Sequence, residues 1–371
     1  MKICFVADAK NVHIHRWADF MHRKGHEIHV ITHREDDVPG AEVYHIRPPL
    51  SNSRLRYITS IPKTKWLIKQ IEPDILHGHY VASFGTMAAN AGYSPLILSA
   101  WGSDVFKFGL RSGLHKMWVA SNFRRAAAIT TTSQHMRDTL VEEFGADPSK
   151  IHTFSWGIGS DFFEHFTDEE LAELRRMHSI PEGRTLILSP RRLAPLYGTD
   201  IIIEAFSMVA GAYPDIHLLL MNGAEDMSYP AKMKRRVEEL GIGDRVTFMP
   251  KLPDDRDVAK LFAMSPLFIS VPESDQLAST ILEGMSCGSI PVLADLKPYY
   301  EIVEDGVNGF YVRQRDTAGL AATLDYVLSE LGSISISMAD RNRRYCEHHE
   351  RWEQCAEKMH DLYLQVVGAK V

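Results

Sequence analysis

Short β-rich runs alternate with helix-length segments along almost the whole chain, and this alternation leaves few architectures open. The first half carries runs at 3–8, 27–33, 43–47, 74–79, 95–101, 127–133 and 151–156. The second half carries runs at 185–190, 216–223, 245–250, 266–271, 289–295 and 309–312. Between them, 15–25 (closed by Gly25 as a C-cap), 201–213 and 229–241 have the periodicity of helices. Strand, helix, strand repeated twice over predicts an α/β protein with two doubly wound parallel sheets. Such sheets bind ligands beyond their strand C-termini, so two facing units are expected to make a cleft.

The polar, acidic segment 160–184, punctuated by Pro181 and Gly183, reads as an interdomain connection. The expected domains are residues 1–165, residues 166–345, and a C-terminal helix within 346–371 that returns to the N-terminal domain. On that helix Trp352, Cys355, Met359, Leu362, Tyr363 and Val366 share one face, which predicts burial against the body.

Composition narrows the function classes. A chain of 371 residues, 45% hydrophobic and 24% charged, suffices for two cores, and a formal charge of −7 argues against a nucleic-acid partner. Cys4, Cys287, Cys346 and Cys355 form no CxxC pair and suit free thiols in a reducing cytosol. The opening MKICFVADAK enters a strand without a signal peptide's apolar region, and no apolar run approaches the ~20 residues of a membrane span. A cytoplasmic protein is expected, with room for peripheral contact at the inner face of the cell membrane.

The densest chemistry lies in ESDQLASTILEGMSCGSIPVL, residues 273–293, where Asp275 and Glu283 have seven residues between them. The strand ends at Pro272 and a helix is expected from near Ala278. A helix N-terminus there favours a phosphate, and Ser279 and Thr280 add hydroxyl donors. Carboxylates beside a diphosphate need another task, and sugar hydroxyls on either side supply one. The plainer reading has Asp275 or Ser274 capping the helix and Glu283 solvated.

The run DQLASTILEGMSCGSIPV (275–292), with EIVEDGVNGFYV (301–312) and SPRRLAPLYGTDIIIEAF (189–206), resembles the retaining glycosyltransferases of family 4. GHEIHVIT (25–32), DILHGHY (74–80) and FSWGIGSDFF (154–163) extend the resemblance, in order, over nearly the whole chain. It implies the GT-B architecture of two facing Rossmann-like domains. It also implies that Glu283 binds nucleotide ribose hydroxyls, that Asp275 contacts the donor sugar at the reacting centre, and that Arg192 holds the diphosphate and stabilises the departing charge.

Departures from the family pattern matter as much. Asp275 is one methylene shorter than the family's Glu, and Gln276, Leu277 and Ala278 replace Gly-Phe-Gly, leaving Ser279 and Thr280 to compensate. Tyr197 stands where the family has a phosphate-binding Lys. Arg191 is the obvious substitute, although neighbours on a strand face opposite ways. In the first domain the loop 7–17 has no glycine where the family has a glycine-rich turn. His13, placed with the catalytic candidates, and His15 on the acceptor side stand there instead. Trp101 replaces a frequent His in SAWGSD, and Asp104 and His79 complete the acceptor-side candidates.

The resemblance implies transfer with retention, in which the leaving phosphate oxygen takes the acceptor proton and no general base is needed. No Asp-x-Asp pair stands out as metal-binding, so neither metal nor cofactor is expected. The implied partners are a nucleotide-sugar donor, a UDP- or GDP-sugar first, and a hydroxyl acceptor. The segment 51–70 has Arg54, Arg56, Lys63, Lys65 and Lys69 interleaved with Tyr57 and Trp66 and no acid. It reads either as a surface for anionic lipid, and so a lipid-linked acceptor, or as a solvated face. The expected role is a hexosyl-type glycosyltransferase in surface-polysaccharide or glycolipid assembly. A nucleotide-sugar epimerase or hydrolase, or a non-catalytic nucleotide-sugar binding protein, is the alternative on the same fold. No G-x-G-x-x-G follows a first strand and no G-x-S-x-G elbow occurs, so dehydrogenase and serine-hydrolase readings lack support.

Overall fold

A computed structural model of the chain describes residues 1–50, 55–221, 223 and 227–369. Arg54 of the basic segment lies outside the described residues. The chain divides into two compact units, one formed by Met1–Trp156 with Glu353–Val371, the other by Gly157–Trp352. Residues 160–184 fall inside the second unit, where Thr167 and Glu170 form a reciprocal capping box on the helix Asp168–Met177 and Leu174 is fully buried.

In the first unit the strands are Lys2–Val6 (β1), Glu27–Thr32 (β2), Ala41–His45 (β3), Ile75–His79 (β4), Leu96–Ser99 (β5), Ala128–Thr131 (β6) and Ile151–Thr153 (β7). They pair in the order β3-β2-β1-β4-β5-β6-β7, all parallel. The second unit holds Thr185–Ser189 (β8), Ile216–Met221 (β9), Val246–Met249 (β10), Leu267–Ser270 (β11), Ile290–Ala294 (β12) and Phe310–Val312 (β13). Their order is β10-β9-β8-β11-β12-β13, again all parallel. Parallel strands need both faces covered, which is why β4, β5 and β12 are buried at every residue.

Each sheet reverses its strand order once, between β1 and β4 in the first unit and between β8 and β11 in the second. Connections on the two sides of that point leave toward opposite faces and open a crevice above the strand C-termini. Residues just past β1, β4, β8 and β11 are therefore the ones the fold offers to a ligand.

Helix boundaries follow local chemistry. The helix Val12–Arg23 starts three residues earlier than the apolar periodicity suggests because the Asn11 side chain caps it, accepting from the His13 N–H at 2.9 Å. It ends on Gly25 at φ +84°, one residue beyond the Lys24 cap. The helix Thr317–His349 runs 33 residues, capped by Asp316, and has no counterpart in the sequence reading.

The helix Trp352–Gly368 buries Trp352, Cys355, Met359, Leu362 and Tyr363, whereas Val366 is half-buried. Within the first unit the Tyr363 hydroxyl lies 2.6 Å from His77 Nδ1. His77 Nε2 lies 2.7 Å from Ser99 Oγ, itself 2.6 Å from Thr130 Oγ1. Burial, then His79, holds the His77 pKa well below its ordinary value, so a neutral imidazole donates through one nitrogen and accepts through the other. Tyr363→Phe keeps the packing and strands one buried imidazole nitrogen, so we expect a loss of about 1–3 kcal/mol in urea unfolding. Leu364→Ala, at a side chain 48% exposed, should stay within about 0.5 kcal/mol of wild type.

Candidate functional site

In the second unit the two segments that leave the switch point are locked together. Past β8, Arg191 and Arg192 lead into a 3₁₀ turn, Pro195–Tyr197, closed by Gly198 at φ +65°. A Cβ on Gly198 would sit 2.6 Å from the Val271 carbonyl oxygen, so only glycine lets this turn lie against the end of β11. The Glu273 N–H donates to the Leu196 carbonyl at 2.9 Å.

Arg191 Nη2 meets Asp275 Oδ2 at 2.9 Å, with the two side chains only 12% and 15% exposed. The Tyr299 hydroxyl donates to the same Oδ2 at 3.0 Å, and the Gln276 N–H donates to Oδ1 at 2.9 Å. Burial alone would lower the Arg191 pKa, but the Asp275 carboxylate, joined by Tyr299 and Tyr197, outweighs it and holds the guanidinium above its ordinary value. The Arg191 guanidinium carbon lies 4.5 Å from the Tyr197 ring centroid and that of Arg192 lies 5.7 Å from it. The aromatic ring in place of a lysine thus gathers two cations. The objection that neighbours face opposite ways does not apply, because β8 has ended at Ser189 and residues 191 and 192 lie in a loop.

The helix Ser279–Ser286 begins after Ala278, whose side chain has no oxygen with which to cap it. The plainer expectation, a cap from Asp275 or Ser274, is not what forms; the Asp275 carboxylate goes to Arg191, Tyr299 and Gln276 instead. Ser279 and Thr280 open the helix half-buried, and Glu283, also half-buried, follows Ser279 by one turn on the same face. The structure brings Arg191, Arg192, Tyr197 and Asp275 together, with the helix carrying Ser279, Thr280 and Glu283 next in the chain. An arginine pair beside uncapped helical N–H groups can hold an anion.

An Asp-x-Asp spacing does occur, at Asp255 and Asp257, in the first turn of the helix Asp255–Met264. Asp257 pairs with Lys260 at 2.9 Å, and acids in a first turn complement the helix dipole. Among the described residues no three His, Cys, Asp or Glu side chains gather as a metal would require.

In the first unit the crevice between β1 and β4 is aromatic. His13 lies 4.9 Å from Trp156 and 5.7 Å from Trp101, ring to ring. Trp101 in turn packs on Trp156 at 4.4 Å, on Tyr80 at 4.9 Å and on His79 at 5.8 Å. Burial, then Arg16, lowers the His13 pKa to about 4, and burial, then His13, lowers that of His79 to about 3. Both imidazoles are neutral at pH 7.

His15 is not part of this cluster, since its Nε2 is engaged by the Ala9 carbonyl. Asp104 is 3% exposed and accepts backbone N–H groups from Val81, Trp101, Gly102 and Val105 at 2.7–3.1 Å. Burial pushes its pKa up to about 6 against those four bonds. Asp104 thereby ties the loop after β4 to the loop after β5. Beside it lies a pocket of about 360 Å³ lined among others by Asp8, Asn11, Arg56, Tyr80 and Ser103. Sequence reasoning missed Tyr80, Trp156 and Tyr299. The first two had a signal, since each follows closely on the end of a strand, whereas Tyr299 looks like any core aromatic.

A family model for Glycosyl transferase 4-like proteins matches residues 2–133, and the model for Glycosyl transferases group 1 matches residues 171–359, half of the chain. The chain belongs to the glycosyl transferases group 1 family. A D-inositol 3-phosphate glycosyltransferase of Mycobacterium sp. (strain KMS) is 28% identical over 269 residues, covering 69% of this chain and 59% of that protein. The namesake from Rhodococcus jostii is 25% identical over 308 residues, covering 78% and 66%. The match thus spans about six-tenths of the first relative's length. Among solved structures, a glycosyltransferase from Rickettsia africae superposes with TM-score 0.80 at 18% identity, covering 99% of this chain and 98% of that one. Anabaena HepE in complex with UDP superposes with TM-score 0.82 at 17% identity, covering 98% and 100%. At these identities the likeness is one of fold, and the fold of this group 1 chain is GT-B.

The neutral histidines set an acid limit on stability. With native pKa values of about 4 and about 3 against an ordinary 6.5, His13 and His79 bind protons only after unfolding as pH falls below about 6.5. Each then costs about 1.4 kcal/mol per pH unit. Asp104, raised to about 6, acts in the opposite sense between its unfolded value and pH 6. Urea unfolding at pH 7, 6 and 5 should show stability falling with acid, and His79→Leu should flatten the decline.

Proposed function

We propose that this family member is a retaining, metal-independent glycosyltransferase that moves a hexosyl-type sugar from a nucleotide-diphosphate donor to a hydroxyl acceptor. The observation that carries the reading is the buried Arg191–Asp275 pair stacked on Tyr197, followed in the chain by a helix that no side-chain oxygen caps. Cations and open N–H groups suit a diphosphate, and fixed carboxylates suit sugar hydroxyls. Solved structures of HepE with UDP and with UDP-glucose support a nucleotide-sugar donor on this fold. UDP- and GDP-sugars are the donors to test first.

Glu283 takes the ribose hydroxyls, Arg191 and Arg192 take the diphosphate, and Ser279 and Thr280 add donors to it. As the bond between the sugar's anomeric carbon and the phosphate oxygen breaks, negative charge grows on that oxygen, and Arg192 stabilises it. The acceptor oxygen forms its bond to the same face of the anomeric carbon and passes its proton to the leaving phosphate oxygen. His13, neutral, accompanies the acceptor hydroxyl as a hydrogen-bonding group, and Trp101 offers its face to a sugar ring.

The acceptor is proposed to be lipid-linked, in surface-polysaccharide or glycolipid assembly at the cytoplasmic face of the membrane. Buried free thiols fit a reducing compartment. No helix among the described residues is long and apolar enough to cross a membrane. The first unit carries 21 Lys and Arg against 17 Asp and Glu, and the second 20 against 31, which together give the chain's −7. Residues 43–71 and 105–137 of the first unit contain no acid at all. In the second of these stretches Leu110, Leu114 and Met117 are 40%, 78% and 68% exposed, and Leu114 and Met117 share one stripe of the helix Gly113–Arg125 with exposed Arg124.

Two measurements test the reading. Ligand-detected binding should select one of the UDP-, GDP-, ADP- and dTDP-sugars. Glu283→Ala and Arg192→Ala should each weaken it at least about 10-fold, the worth of a hydrogen bond to a charged group. Absence of binding to any of the four would withdraw it. Separately, flotation should show salt-sensitive binding to phosphatidylglycerol vesicles and none to phosphatidylcholine vesicles, lost when Leu114 and Met117 are both changed to Glu.

A further inference from the structure

Tyr299 has no place in the donor reading above, yet it touches the acid at its centre. It sits in the 3₁₀ segment Lys297–Glu301 after β12, has no exposed surface, and donates its hydroxyl to Asp275 Oδ2 at 3.0 Å. A buried phenol needs a hydrogen-bond partner, and the one Tyr299 takes is this acid. Burial, then the Asp275 charge, raises the Tyr299 pKa well above its ordinary value, so it stays a donor.

The acceptor capacity of Asp275 is then nearly exhausted. Oδ2 takes Arg191 and Tyr299, and Oδ1 takes the Gln276 N–H. A carboxylate oxygen accepts about two hydrogen bonds in the carboxyl plane, so one acceptor position remains, on Oδ1. Fixed by three donors from three chain segments, the carboxylate cannot rotate to present a different edge.

We infer that Tyr299 is a positioning residue which, with Arg191, locks Asp275 so that it offers a single acceptor position to one hydroxyl of the donor sugar. This rests on the donor-site reading above and deepens it. Tyr299 touches neither substrate nor reacting atoms; it acts through Asp275. The consequence is selectivity between a nucleotide-sugar and the bare nucleoside diphosphate, because only the sugar meets Asp275. Removing the hydroxyl frees Oδ2 and the carboxylate's rotation, and the sugar's share of the affinity falls while the nucleotide's share stays.

The experiment uses the full chain and the nucleotide-sugar that the donor screen selects, with the matching nucleoside diphosphate, by calorimetry. Tyr299→Phe, confirmed folded by its thermal transition, should bind the diphosphate within about 2-fold of wild type and the nucleotide-sugar about 10-fold more weakly, the worth of one hydrogen bond to a charged group. Asp275→Asn should lose the same preference, and the double variant should lose no more than Asp275→Asn alone, since two residues acting through one contact are not additive. Equal weakening of both ligands by Tyr299→Phe, an unchanged nucleotide-sugar preference, or additive losses in the double variant each overturn the inference while leaving the donor site standing. Folded wild-type protein that binds no nucleotide at all overturns the donor reading and this inference with it.

Discussion

A buried guanidinium needs an anion, and the second unit supplies one from a separate loop. Removing a cation from water costs several kcal/mol, recovered only when the partner is close and the remaining lone pairs are satisfied. The Arg191–Asp275 pair meets both conditions, because Tyr299 and the Gln276 N–H take up all but one of the carboxylate's remaining acceptor positions. Arg191 comes from the loop after β8, Asp275 from the loop after β11, and Tyr299 from the segment after β12. One ion pair therefore fixes three loops at the crevice that the strand-order reversal opens. The Gly198 turn, pressed against the Val271 carbonyl, closes the arrangement from the other side.

The first unit meets the same topology with opposite chemistry. At its switch point His13, His79, Trp101, Trp156 and Tyr80 make a wall of rings, and burial keeps the imidazoles neutral. The buried charge nearby, Asp104, is spent on four backbone N–H groups and shapes the loops. A charged crevice favours a phosphate, whereas a neutral aromatic one favours apolar ring faces and hydroxyls. The same α/β layout thus presents different surfaces because different residues follow the same strand ends.

The strands were legible because parallel strands covered on both faces read as short, almost continuous apolar runs, as ICFV in β1 and LFIS in β11 do. The helix Thr317–His349 was not, because Gly332 and the alternating Ser and Ile that follow it obscure a 3.6-residue period. Of the site, the identities of Asp275, Arg191, Arg192 and Glu283 could be read from spacing and family resemblance. Their partners could not. Strand alternation counted against Arg191 although β8 ends before it, and the plainer reading of Asp275 or Ser274 as a cap fails because Ala278 starts the helix. His15 stood beside His13 as a candidate, but two residues along the helix it faces the Ala9 carbonyl instead of the aromatic cluster. Tyr299 was invisible because a buried tyrosine in a β-rich core is ordinary, and only its hydroxyl's partner sets it apart.

Two departures from the family pattern are better understood as one. A lysine at 197 and a glutamate at 275 would each bring its own charge on a longer, freer stem. With Tyr197 the lysine's cation is gone, and its ring instead holds Arg191 and Arg192 within 4.5 and 5.7 Å. With Asp275 the carboxylate stays close to its own backbone, where the adjacent Gln276 N–H reaches it and Arg191 can pair with it. Lengthening the acid by one methylene would carry its oxygens past that N–H; restoring the lysine would remove the ring on which the arginines stack. Both changes converge on Arg191, which pairs with the acid and lies over the ring. Together they leave Arg192 more exposed than Arg191, whose guanidinium is committed to Asp275.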